Sequence, residues 1–386
     1  MTRDPALYVH IPFCHRKCGY CSFVSYTYRE GDVQPYLRAL KAEIAQRAGN
    51  ERLSSIYFGG GTPSLLTVDQ ISDILATISH SFTVVETAEI TMEANPGTVS
   101  EAYLAAIREL GINRLSLGVQ SLNERDLRLL GRGHTAAEAR EAVGFAGSSG
   151  FDNVNIDLVY GLPGQSLPHW LNTLDEALAL TTPHVSLYPL TLEQGTPMWQ
   201  AMQDGSLPCV EPDLTAEQYE LAEDLLAACG YRHYEISNWA KAGSECRHNT
   251  TYWLNKPYIG IGVSAHSWID NHRLGNTCNL NEYLASAAGN LPLLPAMSEY
   301  ISPELELAET VILGLRLDTG IGIDDINNRF GVDLMAHYGQ TIEELREAGL
   351  LRSAGGRLIL TARGRLLGNE VFWRFLPDSA GVGVAC

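Results

Sequence analysis

The sequence predicts an α/β fold built on parallel strands, and three observations carry that expectation. Short β-branched or aromatic runs recur through the first 190 residues, each followed by a longer stretch with helical periodicity. This strand–helix unit repeats six times in succession, which implies parallel strands joined by right-handed crossovers. The chemistry-bearing residues fall just after the strands, at the carboxyl edge where parallel sheets bind ligands. Six such units can lie as an open sheet or close into an incomplete barrel, and periodicity alone does not choose.

The elements follow in order. Leu7 to Ile11 is the first strand, then a cysteine-bearing loop, then a helix from about Pro35 to Ala48. Ser55 to Phe58 is the second strand, followed by a helix over Val68 to Ser79. Glu89 to Glu93 and a helix over Glu101 to Leu110 make the third unit, and Arg114 to Val119 opens the fourth, with helices from Glu124 and Ala136. Asn153 to Val159 precedes a helix over Leu167 to Leu180, and His184 to Tyr188 is the sixth strand. Proline and glycine gather at Gly289-Asn290-Leu291-Pro292, a domain boundary. Beyond it come helices over Pro303 to Leu315, Ile323 to Phe330 and Leu334 to Ala348, a hairpin over Leu351 to Leu360, and a last helix opened by Thr361. Helices followed by a hairpin suggest a small winged-helix-like domain. The expected division is 1–190 for the partial barrel, 191–290 for an extension of it, and 291–386 for the terminal domain.

Composition narrows the function classes. The 386 residues carry 27 basic and 45 acidic side chains, a net charge of −18, which disfavours nucleic acid and anionic membrane surfaces as partners. The terminal domain tempts a DNA-binding assignment, but from Pro303 to Cys386 it holds 8 Arg, no Lys and 12 acidic residues, a poor match for a polyanion. No run of about 18 apolar residues is present, and the N-terminus enters the first strand without a signal-peptide pattern. A cytosolic protein is expected.

Three of the eight cysteines are grouped: Cys14, Cys18 and Cys21, spaced C-x-x-x-C-x-x-C. Three thiolates on one loop can hold three corners of a cubane iron–sulfur cluster and leave the fourth iron open to a small molecule. A structural zinc site asks for four ligands, usually as two separated pairs, and no second C-x-x-C exists; His10 and His15 leave a mixed site open. The remaining cysteines, Cys209, Cys229, Cys246, Cys278 and Cys386, share no spacing and read as small buried hydrophobes. Gly59-Gly60-Gly61-Thr62-Pro63 lacks the lysine of a phosphate loop and the spacing of a dinucleotide fingerprint. It fits either a tight turn or a close approach of backbone to ligand. Glu93, Gln120, Arg132 and Asp157, taken singly, could be capping or surface groups; they are notable for their joint placement around one mouth.

The cysteine spacing resembles the cluster loop of the radical S-adenosylmethionine (SAM) superfamily. That resemblance favours the incomplete (β/α)6 barrel and implies a 4Fe-4S cluster whose open iron is chelated by SAM, with reductive SAM cleavage to a 5′-deoxyadenosyl radical as the chemistry of the cofactor pair. It places Tyr20 against the adenine and the backbone of Gly60, Gly61 and Thr62 near the SAM amino group. Tyr8, Glu93, Gln120, Arg132 and Asp157 line the same pocket. Gln120 and Asp157 suit ribose hydroxyls, and the forked donors of Arg132 suit a carboxylate.

Two further stretches narrow the resemblance. Cys246-Arg247-His248-Asn249-Thr250-Thr251-Tyr252-Trp253 and Tyr258-Ile259-Gly260-Ile261-Gly262, with Tyr8-Val9-His10-Ile11-Pro12-Phe13-Cys14, resemble the HemW heme chaperones, relatives of oxygen-independent coproporphyrinogen III dehydrogenase. The resemblance implies heme binding, with His248 the first candidate axial ligand and Cys246 and Tyr252 the alternatives. It also implies a heme-accepting partner, a membrane-bound respiratory hemoprotein being one candidate, met from the cytoplasmic face, and an electron donor for the cluster. The dehydrogenase carries a further cysteine two residues after the third cluster cysteine. Here Ser22 and Phe23 follow Cys21, which counts against decarboxylation; a radical SAM oxidoreductase acting on a porphyrin is the alternative function.

Overall fold

The computed structural model describes residues 4–288 and 295–377. Six parallel strands form in the predicted order: β1 (Ala6–Ile11), β2 (Arg52–Gly60), β3 (Thr83–Ala94), β4 (Arg114–Gln120), β5 (Val154–Tyr160) and β6 (His184–Pro189). They are the centre of a twelve-stranded sheet, because the chain after residue 190 adds strands at both edges. Beyond β6 lie β7 (Arg232–Glu235) and β8 (Asn238–Ala240), both antiparallel additions. On the other side β9 (Tyr258–Ile261) joins β1 in parallel, and β10 (His266–Ile269), β11 (His272–Gly275) and β12 (Met297–Tyr300) follow antiparallel. The boundary expected at residues 289–292 lies outside the described residues, and Met297–Tyr300 beyond it still belongs to the large sheet.

Alternation along each strand sorts the sheet into two unlike faces. Leu7, Val9 and Ile11, then Ile56 and Phe58, Met92, Leu115 and Leu117, Ile156 and Leu158, and Val185 and Leu187 are buried on one face. The connecting helices, among them Glu30–Gln46, Val68–Ser81, Glu101–Glu109, Ala136–Ser148 and Leu167–Ala179, cover that face and share its core. Each fully buried aliphatic side chain there contributes roughly 1.5–3 kcal/mol. The other face is polar. Register sets Tyr8 beside Tyr57, Tyr57 beside Thr91 and Thr91 beside Arg114. It likewise aligns Glu93, Ser116, Asn155 and His184, and then Asp157, Ser186 and Asn238. Parallel strands are ordinarily apolar on both faces; a polar face on this sheet marks the lumen of the partial barrel.

The first helix differs from expectation. It runs Glu30–Gln46, so Pro35 lies inside it and not at its start. Pro35 is the sixth residue of the helix, past its first turn, so it removes an N–H that would otherwise donate to the Gly31 carbonyl.

The terminal module has its own core of Leu307, Val311, Leu315, Leu334, Leu358 and Phe375. Helices Pro303–Leu315, Ile323–Phe330 and Leu334–Glu347 pack beside a three-stranded sheet of Ile321–Gly322, Arg357–Leu360 and Leu351–Ala354. Thr361 accepts from Gly364 N at 2.9 Å and caps the helix Ala362–Leu366, as predicted, but a further short helix, Gly368–Phe372, follows it. The module is tied to the large sheet by a forked Arg232–Asp318 pair at 2.7 and 2.9 Å. Arg329 also donates to the carbonyls of Leu254 and Asn255 at 3.2 and 3.0 Å. Among the described residues no helix is long and apolar enough to cross a membrane.

Candidate functional site

The cysteine loop is closed at its base by two short strands, Phe13–Cys14 and Tyr26–Thr27. Tyr28 N donates to Cys14 O at 2.8 Å and Tyr26 N to Pro12 O at 2.7 Å. Within the loop, Cys21 N donates to Cys18 O at 3.2 Å and Lys17 Nζ to Phe23 O at 3.1 Å. Cys14, Cys18 and Cys21 are free, half-buried thiols that line one cavity of about 440 Å³ at the carboxyl ends of the strands. Among the described residues, no three His, Cys, Asp or Glu side chains converge as a single metal ion would require. His15 is exposed, while His10 is turned away and engaged by Tyr8 at 3.0 Å and Val24 O at 3.0 Å.

The glycine run is stitched to this loop. Gly61 N donates to Ile11 O at 2.8 Å, Thr62 N to Phe13 O at 2.8 Å, and the Thr62 hydroxyl reaches Cys14 Sγ at 3.5 Å. A Cβ at Gly61 would lie 2.7 Å from Phe13 O, and one at Gly60, whose φ is +109°, would lie 2.4 Å from the His10 ring. Glycine is therefore required at both positions by protein atoms already in place. Gly60, Gly61 and Thr62 still line the cavity.

The cavity wall carries opposed charges. The Glu93 carboxylate accepts from the Tyr57 hydroxyl at 2.9 Å and from Gly60 N at 3.1 Å. Burial, reinforced by the charge of Asp157, pushes its pKa up to about 7. Asp157, also raised by burial, accepts from Asn155 at 2.8 Å and Ser116 at 3.2 Å; it lies within β5 and not at its end. Arg114, buried at the start of β4, is the cation between these carboxylates and Glu89. Arg132 follows Gly131, the left-handed cap of the helix Glu124–Leu130. Its guanidinium reaches Asn95, Gly118 O at 2.8 Å and Cys18 Sγ at 3.4 Å, and its buried Nε has no hydrogen-bond partner among the described residues. Gln120 lines the cavity from a left-handed backbone, φ 66°, a conformation uncommon outside glycine and frequent at ligand sites. Tyr20 lines it beside Arg132.

These groups fit the pair of cofactors that the loop implies. Three thiols offer three cluster ligands, and an orphaned donor on a buried guanidinium offers a carboxylate contact a short reach from Cys18. Glu93 offers a site for an ammonium. Tyr8 stands one row back, its ring against Tyr57 and its hydroxyl on His10. Tyr57, Asn95, Arg114, Ser186, Tyr188, Asn238 and Asn249 also line the cavity and were not singled out from sequence. For Tyr57, Arg114, Ser186 and Tyr188 the signal was present as polar residues alternating with aliphatic ones in parallel strands; Asn95, Asn238 and Asn249 lie outside those strands and carried none.

His248 does not occupy an accessible polar loop. It lies in the helix Arg247–Trp253 and is 1% exposed. Its Nδ1 is hydrogen-bonded to Ser55 Oγ at 2.9 Å and its Nε2 to the Tyr252 hydroxyl at 2.8 Å. Burial and the nearby Arg114 push its pKa down to about 3. Cys246 is buried too, its pKa raised to about 12 by burial, with its thiol on Glu89 at 3.5 Å. Both alternatives to His248 are thus already engaged, Cys246 at the N-cap of this helix and Tyr252 within it.

Residues 8–177 match the Radical SAM superfamily model, and residues 301–367 match that of the HemN C-terminal domain. The chain is 36% identical over 378 residues to heme chaperone HemW of Lactococcus lactis subsp. lactis, covering 98% of this chain and 99% of that protein. Heme chaperone HemW of Bacillus subtilis is 35% identical over 376 residues, covering 96% and 99%. Among solved structures, the coproporphyrinogen III oxidase HemN of Escherichia coli, described as a radical SAM enzyme, superposes with a TM-score of 0.85 at 26% identity, covering 97% of this chain and 90% of that one.

Proposed function

Because this chain belongs to the heme chaperone HemW family of radical SAM proteins, we propose that it binds heme and passes it to a recipient hemoprotein, with a 4Fe-4S cluster and SAM held in the cavity described above. The cavity itself carries the cofactor assignment: the free cysteines Cys14, Cys18 and Cys21, the buried Arg132, whose Nε has no hydrogen-bond partner among the described residues, and Glu93 all line one space. Cys14, Cys18 and Cys21 hold the cluster. Arg132 takes the SAM carboxylate, Glu93 with the Gly60 backbone takes the ammonium, and Asp157 and Gln120 take the ribose hydroxyls. Tyr20 lies against the adenine. When bound, the pair supplies one-electron chemistry, so an electron donor is a required partner. The recipient is a heme-accepting protein, a membrane-bound respiratory hemoprotein in the cytoplasmic setting expected from the sequence.

Ser22 and Phe23 separate this function from coproporphyrinogen decarboxylation. Phe23 is 69% exposed at the cavity mouth, where the related dehydrogenase has a cysteine. The test is anaerobic reconstitution of the full chain with iron and sulfide, then parallel incubation with heme and with SAM plus coproporphyrinogen III under reducing conditions. Heme uptake and its transfer to an apo-hemoprotein, without conversion of coproporphyrinogen III, are expected. Multiple turnovers to protoporphyrinogen IX would overturn the chaperone assignment in favour of the porphyrin oxidoreductase.

A further inference from the structure

We propose that His248 is a positioning residue for the SAM site, acting through the ring of Tyr57, and not a ligand to heme iron. The inference rests on the assignment of the cavity to SAM made above.

The imidazole lies against the face of Tyr57, with ring centroids 4.9 Å apart and planes tilted by 29°. Tyr57 in turn donates its hydroxyl to Glu93 at 2.9 Å, and Glu93 is the carboxylate that also holds Gly60 N. The chain of contact from His248 to the ammonium site therefore passes through a single aromatic ring. Its far end is fixed. Glu89 accepts from the backbone N–H groups of Arg247 and His248 at 3.0 and 2.9 Å, and Glu89 lies on β3 four residues before Glu93. The same strand thus anchors both the helix that carries His248 and the carboxylate that His248 supports.

Helical geometry explains the division of labour between neighbours. Consecutive residues in a helix point about 100° apart. Asn249 lines the cavity, while His248 lies behind its wall, wedged between Ser55 and Tyr252. For an imidazole nitrogen to reach heme iron, it would have to abandon Ser55 or Tyr252 and leave a buried hydroxyl without its partner, a change that costs free energy. Truncating the ring opens space behind Tyr57 and lets its hydroxyl fall away from Glu93.

The experiment uses the full chain with its cluster reconstituted anaerobically. SAM dissociation constants and the absorption spectrum of the heme-loaded protein are measured for wild type, His248→Ala, Tyr57→Phe, the double variant and His248→Phe. His248→Ala and Tyr57→Phe should each weaken SAM about tenfold. The double variant should be within about threefold of the weaker single, since both changes remove one pathway. His248→Phe keeps a ring against Tyr57 and should recover most of the affinity although it has no nitrogen for iron. The heme spectrum should be unchanged throughout. Wild-type SAM affinity in His248→Ala, multiplied losses in the double variant, or a heme spectrum altered in both His248→Ala and His248→Phe would each overturn the inference. If His248→Ala fails to accumulate, the contrast between weakened Tyr57→Phe and near-normal His248→Phe decides it. Failure of the wild type to bind SAM would instead overturn the cavity assignment, and this inference with it.

Discussion

Replacing Glu93 by Gln should set the stability of the empty cavity against its affinity for SAM. The carboxyl group is enclosed, and burial with the adjacent Asp157 lifts its pKa from the ordinary 4.5 to about 7. The folded pKa lies above the unfolded one, so the native state retains a proton that the unfolded chain releases between those values. Stability of the ligand-free protein therefore falls as pH rises through that window. A gap of this size corresponds to roughly 3 kcal/mol. The stability difference between Glu93→Gln and wild type should shift by about that amount in favour of the variant from pH 4.5 to 7.5, followed by denaturant unfolding without SAM. Gln also turns an amide donor toward Gly60 N or Tyr57, but that cost is independent of pH and leaves the slope intact.

SAM affinity should move the opposite way. An ammonium prefers the ionised carboxylate, whose population grows about eightfold between pH 6 and 7.5 for a pKa near 7. Wild-type affinity should rise by a comparable factor, and Glu93→Gln should bind weakly with little dependence on pH. His134 and His248 are lowered to about 4 and 3, by burial first, so these two rings stay neutral between pH 6 and 7.5; burial lowers His10 as well. Asp157 is raised as well and faces the same cavity. The comparison with Glu93→Gln, not the wild-type slope alone, therefore makes the assignment. Parallel SAM profiles for the two proteins would refute the pairing of Glu93 with the ammonium.

Replacing Cys14, Cys18 or Cys21 by Ala should abolish the cluster absorption while circular dichroism stays native, because the loop lies at the cavity mouth outside the main core. Arg132→Ala should weaken SAM roughly 10- to 100-fold, the worth of a charge-assisted hydrogen bond, with iron content retained; unchanged affinity would remove it from the site. Gly60→Ala should lower stability by at least about 2 kcal/mol, from positive φ and collision with His10, read as a reduced denaturant midpoint.

The sequence shows most of the scaffold because the scaffold is written locally. The helices Pro303–Leu315 and Ile323–Phe330 occur at their predicted bounds, each signalled by its own periodicity and a capping residue or terminal glycine. The cysteine loop is equally local: three thiols within eight residues need no fold to be recognised. The edge strands at both ends of the sheet were not visible, since four-residue segments such as Tyr258–Ile261 take their identity from the partner they meet and not from a pattern of their own.

His248 shows why the candidate site was only partly legible. A histidine beside an asparagine, two threonines, a tyrosine and a tryptophan looks solvated when read along the chain. What encloses it comes from elsewhere: Ser55 and Tyr57 from β2, Glu89 from β3 and Arg114 from β4. Arg114 was hidden in the same way, as the first residue of a strand whose following positions are mostly apolar. The three strands that supply these residues are separated from one another in sequence by intervening helices, and only parallel register places them side by side on the lumen face. Proximity in a parallel barrel depends on which face a residue takes and which strand stands next to it. Alternation within the strands could have disclosed the face, but the pairing that makes Tyr57 the bridge between His248 and Glu93 belongs to the tertiary fold.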